Sequence, residues 1–400
     1  MMLPVVAKTY YEIPVYAGLL NLIVVPGMTV VVAGSWFGLL VSIGTISLGR
    51  FVMLPVGWML QGYTWLCERT LELPWNTLVT GEIRGWQSGM WYGGIACTLV
   101  LLRTKTRNKL RDFVYKHTGR FWRKREVVRY TVCTILISML LQGAGQALCV
   151  WQQRTEAIYF LDVGQGDGIL IRSPDGRNIV IDGGSTSQSK CGTYTLLPAL
   201  RSQGMTEIDC WFVTHTDEDH ISGLKELLLQ GKLTQIKVRT VVFSAYVFQD
   251  AALAELEAVI RAAGITIVWM REGDVIGDDT FTFTCLHPTA EYRAKDKNAA
   301  SLALAYHSDT FDMLFTGDMD ADAVADMDIQ QDYDCIKLPH HGSKYSYVEG
   351  VYAHADYGLI SCGYNNRYGH PHTEVLQGLA QEGTKVLRTD EMGAVVFRGR

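Results

Sequence analysis

The sequence predicts an α-helical membrane region over residues 1–150. An α/β domain follows over 151–400, built as an αββα sandwich of two packed mixed sheets with outer helices. Three observations carry this. Charge divides sharply: residues 1–150 hold 15 Lys and Arg against 6 Asp and Glu, a net +9, and the total of −5 therefore leaves −14 for the rest. Long apolar runs give way near residue 150 to hydrophobic stretches of strand length. Beyond that point strand patterns outnumber helical ones, and Ser173-Pro174-Asp175-Gly176 has the residues of a tight hairpin turn, so a simple alternating parallel sheet is excluded.

Val127–Cys149 is the best membrane-spanning candidate, because a bilayer core takes roughly 20 apolar residues as helix. Trp86–Leu102, Tyr16–Val32 and Phe37–Leu60 are further candidates, the last two interrupted by Pro26, Arg50 and Pro55, for two to four helices in all. Residues 103–125 carry ten Lys and Arg against Asp112 alone. Short basic loops stay in the cytoplasm, which predicts a multi-pass protein of the cell membrane with 151–400 outside the cytoplasm. A nucleic-acid patch is the rival reading of that loop. The nine cysteines are scattered without a Cys-x-x-Cys pair, which argues against a disulfide framework or a zinc ribbon.

In the second half, strand patterns begin at Ala157 and recur through Ala394–Arg398, with helical patterns near 193–203, 221–230, 250–263, 320–328 and 373–382. Metal-capable residues arrive at strand ends. Asp182 follows Ile179-Val180-Ile181, Asp318 follows Leu314-Phe315-Thr316-Gly317, and His340-His341 follow Ile336-Lys337-Leu338-Pro339. The densest group is Thr214-His215-Thr216-Asp217-Glu218-Asp219-His220, after the strand pattern 208–213. A single helix cannot turn residues i and i+2 to one point, whereas a strand end running into a helix can. Two divalent cations suit such a cluster, and paired cations point to hydrolysis. The mixed imidazole and carboxylate shell makes manganese a candidate beside zinc.

Taken in order, Asp162-Val163-Gly164-Gln165-Gly166-Asp167, Ile181-Asp182-Gly183-Gly184, the His/Asp cluster, Asn298 before Ser301, Thr316-Gly317-Asp318, Pro339-His340-His341-Gly342-Ser343 and Asn366-Arg367-Tyr368-Gly369-His370-Pro371 resemble the metallo-β-lactamase superfamily. The set is more similar still to the carboxy-terminal domain of ComEC-type competence proteins, bacterial DNA-uptake channels. Asn21 to Pro26 resembles the last part of that family's channel domain, which implies that 1–150 is a remnant of it. The resemblance implies that His215 and Asp217 hold one metal. Asp219 and His220 would hold the other, with Asp318 bridging and His340 or His341 completing the second site. Two departures stand out: Asp217 occupies the superfamily's second His position, and neither His287 nor His307 sits where a third ligand His is expected.

The expected chemistry is phosphodiester hydrolysis by a metal-bridged hydroxide that Asp219 orients, with DNA as substrate. His370 is the candidate for protonating the leaving oxygen or binding phosphate. Asn298, Ser343, Lys344 and Arg367 are candidate substrate contacts, and Asp182, Asp162 and Asp167 candidates for positioning the metal loop. A net −14 predicts weak, sequence-independent contact with DNA delivered by other components of an uptake channel. Two other readings are a superfamily hydrolase of another ester or amide, and an inactive structural part of a DNA channel.

Overall fold

The computed structural model describes residues 3–102 and 155–399, apart from 232, 233, 328 and 330, and a few positions between 103 and 154. The chain forms two compact units, Met1–Met139 and Leu140–Arg400. The expected span Val127–Cys149 and the basic segment 103–125 lie, but for scattered positions, outside the described residues.

In the first unit, strands β1 (Glu12–Pro14) and β2 (Thr77–Val79) pair antiparallel. Helices Ala17–Gly44, Ile46–Leu71 and Gly85–Leu102 account for most of the rest. Among the described residues one helix, Ala17–Gly44, is long and apolar enough to cross a membrane. The expected break between 32 and 37 is corrected. Ser35 lies inside the helix, where its hydroxyl donates to the Val31 carbonyl at 2.7 Å, and the chain breaks instead at Thr45, which is extended. Pro26 and Pro55 are accommodated within helices rather than ending them. Small residues let the first two helices approach closely, Gly34 facing Val56 and Gly38 facing Met53.

The second unit begins with β3 (Ala157–Phe160), β4 (Gly168–Arg172), β5 (Asn178–Asp182), β6 (Glu207–Ile208), β7 (Cys210–Phe212), β8 (Lys237–Val238), β9 (Thr240–Ser244) and β10 (Thr266–Met270). It continues with β11 (Val275–Gly277), β12 (Phe281–His287), β13 (Ala303–Ser308), β14 (Asp312–Phe315), β15 (Tyr333–Lys337), β16 (Ala355–Ile360), β17 (Lys385–Arg388) and β18 (Val395–Arg398). One seven-stranded sheet runs β10-β9-β7-β5-β4-β3-β18, the other β11-β12-β13-β14-β15-β16-β17, and β6 pairs with β8 apart from both.

Alternation builds the core. In β12, Phe281, Phe283, Cys285 and His287 are buried while the residues between them are less so, as expected of a strand with one inward face. The Phe281 and Phe283 rings meet Phe160, Phe212, Tyr306 and Phe315 in one apolar cluster. On the outer face of the first sheet, Trp211 and Val241 pack with Leu224 of helix Glu218–Gln230 and Leu256 of helix Ala251–Ala262. On the second, Leu314 and Ile336 pack with Val375 and Leu379 of helix Thr373–Glu382. Two mixed sheets with outer helices is the architecture expected from the sequence.

Each sheet contains a parallel run. Strands β5, β7, β9 and β10 share one direction, and so do β14, β15, β16 and β17. Their carboxyl ends are where loops carrying Asp182, residues 213–220, Asp318 and His341 emerge, the usual location of sites on such sheets.

Candidate metal centre

Asp182 organises the cluster from beneath. Its Oδ1 accepts from the Thr214 amide at 2.8 Å, and Oδ2 accepts from the Thr214 hydroxyl at 2.7 Å. The same Oδ2 lies 2.8 Å from Nδ1 of His220. A carboxylate there fixes the proton on Nδ1 and turns Nε2 of His220 outward as a free acceptor. His341 is set the same way, its Nδ1 lying 2.8 Å from the Ser361 carbonyl, which can only accept. Asp182, His340 and His341 all adopt left-handed backbone with φ of 56°, 47° and 55°. Such strain in residues other than glycine persists only where the surroundings enforce it.

Glycines allow the loops to close. A Cβ on Gly184 would sit 2.5 Å from backbone atoms of Glu218, Asp219 and His220, and one on Gly166 would sit 2.5 Å from the Asp219 carbonyl. The two glycine-rich loops therefore lie directly on the turn that carries the ligands, and the Asp167 amide donates to the Asp219 carbonyl at 3.0 Å.

The result is a compact set of four. One ligand atom from each of Asp219, His220, Asp318 and His341 lies within 4.8 Å of the others. Oδ2 of Asp318 is 3.3 Å from Nε2 of His220 and 3.2 Å from Nε2 of His341, which is 3.5 Å from Oδ2 of Asp219. The Nε2 atoms of His215, His220 and His341 and Oδ1 of Asp318 are buried without a hydrogen-bond partner. Buried polar atoms are rarely left so, and a divalent cation would satisfy them, so the residues fit the metal that the pattern implies.

Charge within the set follows from the same contacts. Burial opposes ionisation of His341, yet the facing Asp318 and Asp219 carboxylates outweigh it and push its pKa up to about 10. Burial likewise opposes a charged His220, and Asp318 and Asp182 outweigh it. Burial would raise Asp219, but its contacts with His341 and His220 bring it down to about 2. Burial and the neighbouring His220 hold His215 well below the ordinary imidazole range. Without metal, protons on His220 and His341 therefore supply the positive charge. Metal must displace them, so affinity should keep rising with pH until about pH 10, with proton release on binding. Titration calorimetry in two buffers of different ionisation enthalpy measures this, and pH-independent affinity would refute it. The sign for stability runs the other way. The His341 contribution to the metal-free protein is complete below about pH 6.5 and is lost as pH rises through about 10.

The remaining candidates divide. His215 stacks near His220 with ring centroids 4.0 Å apart, but its Nε2 is 3.8 Å from Asp217, whose half-exposed carboxylate is held by the Lys297 ammonium at 3.0 Å. These two form an open half-site beside the compact one. Of the adjacent histidines, His341 faces the set. His340 lines the same cleft but stands outside the compact set, which favours His341 as the candidate ligand of the pair. That cleft has a volume of about 260 Å³ and is also lined by Asn298, His370, Tyr368, Gln165 and Glu218. Burial, and then the neighbouring His341, His340 and His372, lower His370 to about 4, which makes it a neutral hydrogen-bonding group at pH 7 rather than a ready proton source.

Ser343 and Lys344 lie outside the lining of the cleft. Ser343 is buried and its hydroxyl accepts from the Tyr345 amide at 3.3 Å, while Lys344 is exposed and pairs with Glu374 at 3.5 Å. Arg367 is exposed beside Tyr368. Asp162 is exposed too and caps its own turn, accepting from the Gly164 amide at 3.1 Å. Asp167 is buried against the set, 3.7 Å from Nδ1 of His341. His287 and His307 take no part: His287 bonds the Ala299 carbonyl at 3.0 Å and His307 is exposed beside Asp312.

One residue carries no signal in the sequence. Lys337, at the end of β15, is 1% exposed. Its ammonium lies 2.6 Å from Oδ2 of Asp167 and 4.0 Å from Oδ1 of Asp318, and donates to the Gly317 and Leu338 carbonyls at 3.1 Å each. It fills the space behind the ligands with a fixed cation, so Asp167 and Asp182 are not free to take a second metal there.

Residues 1–105 match the model of the competence protein family, and residues 161–290 that of the metallo-beta-lactamase superfamily. ComE operon protein 3 of Bacillus subtilis is 32% identical over 256 residues, which cover 60% of this chain and 32% of that protein. Competence protein ComA of Neisseria gonorrhoeae is 27% identical over 289 residues, covering 66% of this chain and 38% of the relative. The chain thus spans about a third of the length of these curated relatives. Among solved structures, the metallo-beta-lactamase fold protein YhfI from Bacillus subtilis aligns over 61% of this chain and 100% of its own, at 14% identity and a TM-score of 0.40.

Proposed function

From a chain that joins a competence-protein region to a metallo-beta-lactamase superfamily domain, we propose a membrane-anchored phosphodiester hydrolase acting on DNA during uptake. The observation that carries this reading is the floor of the cleft, where two unpartnered imidazole nitrogens and two carboxylates face one another. Divalent cations held there, manganese or zinc, would lower the pKa of water and neutralise charge on a phosphoryl group.

The chain's own residues do the rest. Asp219, His220, Asp318 and His341 would hold the first cation, and His215 with Asp217 would take a second more loosely. Asp219 also orients the attacking water. His370 donates a hydrogen bond to a phosphoryl oxygen from the cleft wall, which Asn298 also lines. A phosphodiester arrives with its own negative charge, which suits a site whose four-residue set is half imidazole.

In the same reading, residues 1–150 are the membrane region, with the basic stretch 103–125 cytoplasmic and the hydrolase domain outside. The partners are further components of an uptake channel, which deliver DNA to a domain too acidic to gather it unaided.

The test is to incubate the purified chain with linear DNA, a β-lactam and a generic phosphodiester, each with manganese, with zinc and with chelator. Cleavage of DNA and of the phosphodiester with metal, abolished by chelator, is expected. Opening of the β-lactam with DNA left intact would overturn the proposal.

A further inference from the structure

Tyr368 lines the cleft together with Asp219, Asp318 and His341, yet its side chain is 44% exposed. Its ring stacks on the His370 imidazole, with centroids 5.7 Å apart and planes inclined by 24°. The Arg367 guanidinium lies 4.8 Å from the Tyr368 centroid and donates to its phenol oxygen at 2.6 Å. Imidazole, phenol and guanidinium thus form one column, based at the metal centre and ending in solvent.

A second exposed ring lies nearby, linked to the first through tilted and edge-on contacts. The His372 ring is 5.0 Å from His370 and 6.3 Å from Tyr345, which is 73% exposed and carries the Lys344 ammonium 5.6 Å from its centroid. Exposed aromatic rings beside an active cleft leave apolar surface in water, and each here is flanked by a cation. Alternating π faces and cations are what an unpaired strand requires, because bases stack on rings while phosphates meet Arg and Lys. Base pairs in a duplex are already stacked on both faces and cannot use such a surface.

We propose that Tyr368 and Tyr345 are base-stacking, specificity-determining residues, so that the site takes a single strand or an unpaired strand end in preference to a continuous duplex. One base takes the place of the Arg367 guanidinium over the Tyr368 ring, Arg367 turns to the flanking phosphate, and the next scissile phosphate falls over Asp219 and Asp318. Tyr345 with Lys344 receives a base further along the strand. This rests on the phosphodiesterase reading and names its substrate class.

Two measurements on the full chain, with manganese, separate the two ideas. In the first, kcat and KM are compared for a single-stranded oligothymidine, a blunt duplex and bis(4-nitrophenyl) phosphate. Tyr368→Leu should reduce the preference for the single strand over the small diester by about tenfold, mainly through KM, and Tyr368→Phe should keep most of it. In the second, an oligothymidine carrying one 2-aminopurine reports stacking by quenched fluorescence, whether or not it is cut. Quenching by the native chain that Tyr368→Leu or Tyr345→Leu weakens supports the proposal. Unquenched probe, equal preference for duplex, or an equal loss on the small diester and the single strand would overturn it. Quenching without any hydrolysis would retain the stacking surface and refute the enzymatic reading alone.

Discussion

Asp219→Ala should reduce hydrolysis on the order of 1000-fold, the scale on which a positioned acid–base group acts, while the domain stays folded. Asp219 is the one member of the four-residue set that is partly exposed, at 18%, so it reaches the cleft while still meeting Nε2 of His341. On the proposed reading, truncation removes a ligand and the group that orients water in a single change. The fold tolerates it because the neighbouring contacts are made by backbone: the Asp219 carbonyl still accepts from Asp167, and the helix from Glu218 still begins there. Without metal, the lowered pKa of Asp219 implies a stability contribution of roughly 2 kcal/mol, present above about pH 4 and lost as pH falls through about 2. Circular dichroism and metal titration accompany the rate measurement. Full activity in the variant would remove Asp219 from the mechanism.

Lys337→Met should cost about 3–5 kcal/mol, the usual consequence of stranding one partner of a buried ion pair. The stranded group is Asp167, fully buried and 2.6 Å from the ammonium. Adding Asp167→Asn to Lys337→Met should recover part of the loss, because the remaining amide is neutral. Denaturant unfolding followed through the buried Trp211 measures both. A loss below about 1 kcal/mol would show that the pair is no more than a surface contact in effect.

These two residues illustrate what a sequence discloses. Asp219 stands after a readable strand and inside a dense run of ligating side chains, so its place at a strand end follows from residue order alone. The outer helices are legible for a similar reason: the apolar spacing at Val375 and Leu379 is that of one buried face, and helix Thr373–Glu382 has the expected bounds. Lys337 offers no such clue. Its strand, Tyr333–Lys337, looks like one that ends in a solvated lysine, and only the convergence of Asp167 from another sheet makes the interior hold a charge.

Other features are hidden for equally specific causes. His340 and His341 are neighbours of one type, and the choice between them depends on two successive left-handed residues that no pattern announces. Ser343 and Lys344 follow them in a motif that looks like a substrate loop, but the chain turns back under itself and buries the hydroxyl. Strands β11 and β17 are hard to read because they are short and take their place in the sheet from pairing with β12 and β16 rather than from a pattern of their own. The helix break at Thr45 is invisible for a related reason, since Ser35 satisfies its own hydroxyl within the helix and the prolines are tolerated.

The four candidate ligands come from opposite halves of the sandwich. Asp219 and His220 follow β7 in one sheet, while Asp318 and His341 follow β14 and β15 in the other. A cation gripped by all four would rivet the two layers together at their open edge. Scarcity of metal should then loosen the seam as well as silence the chemistry, exposing idle copies of the protein to proteolysis while loaded ones endure.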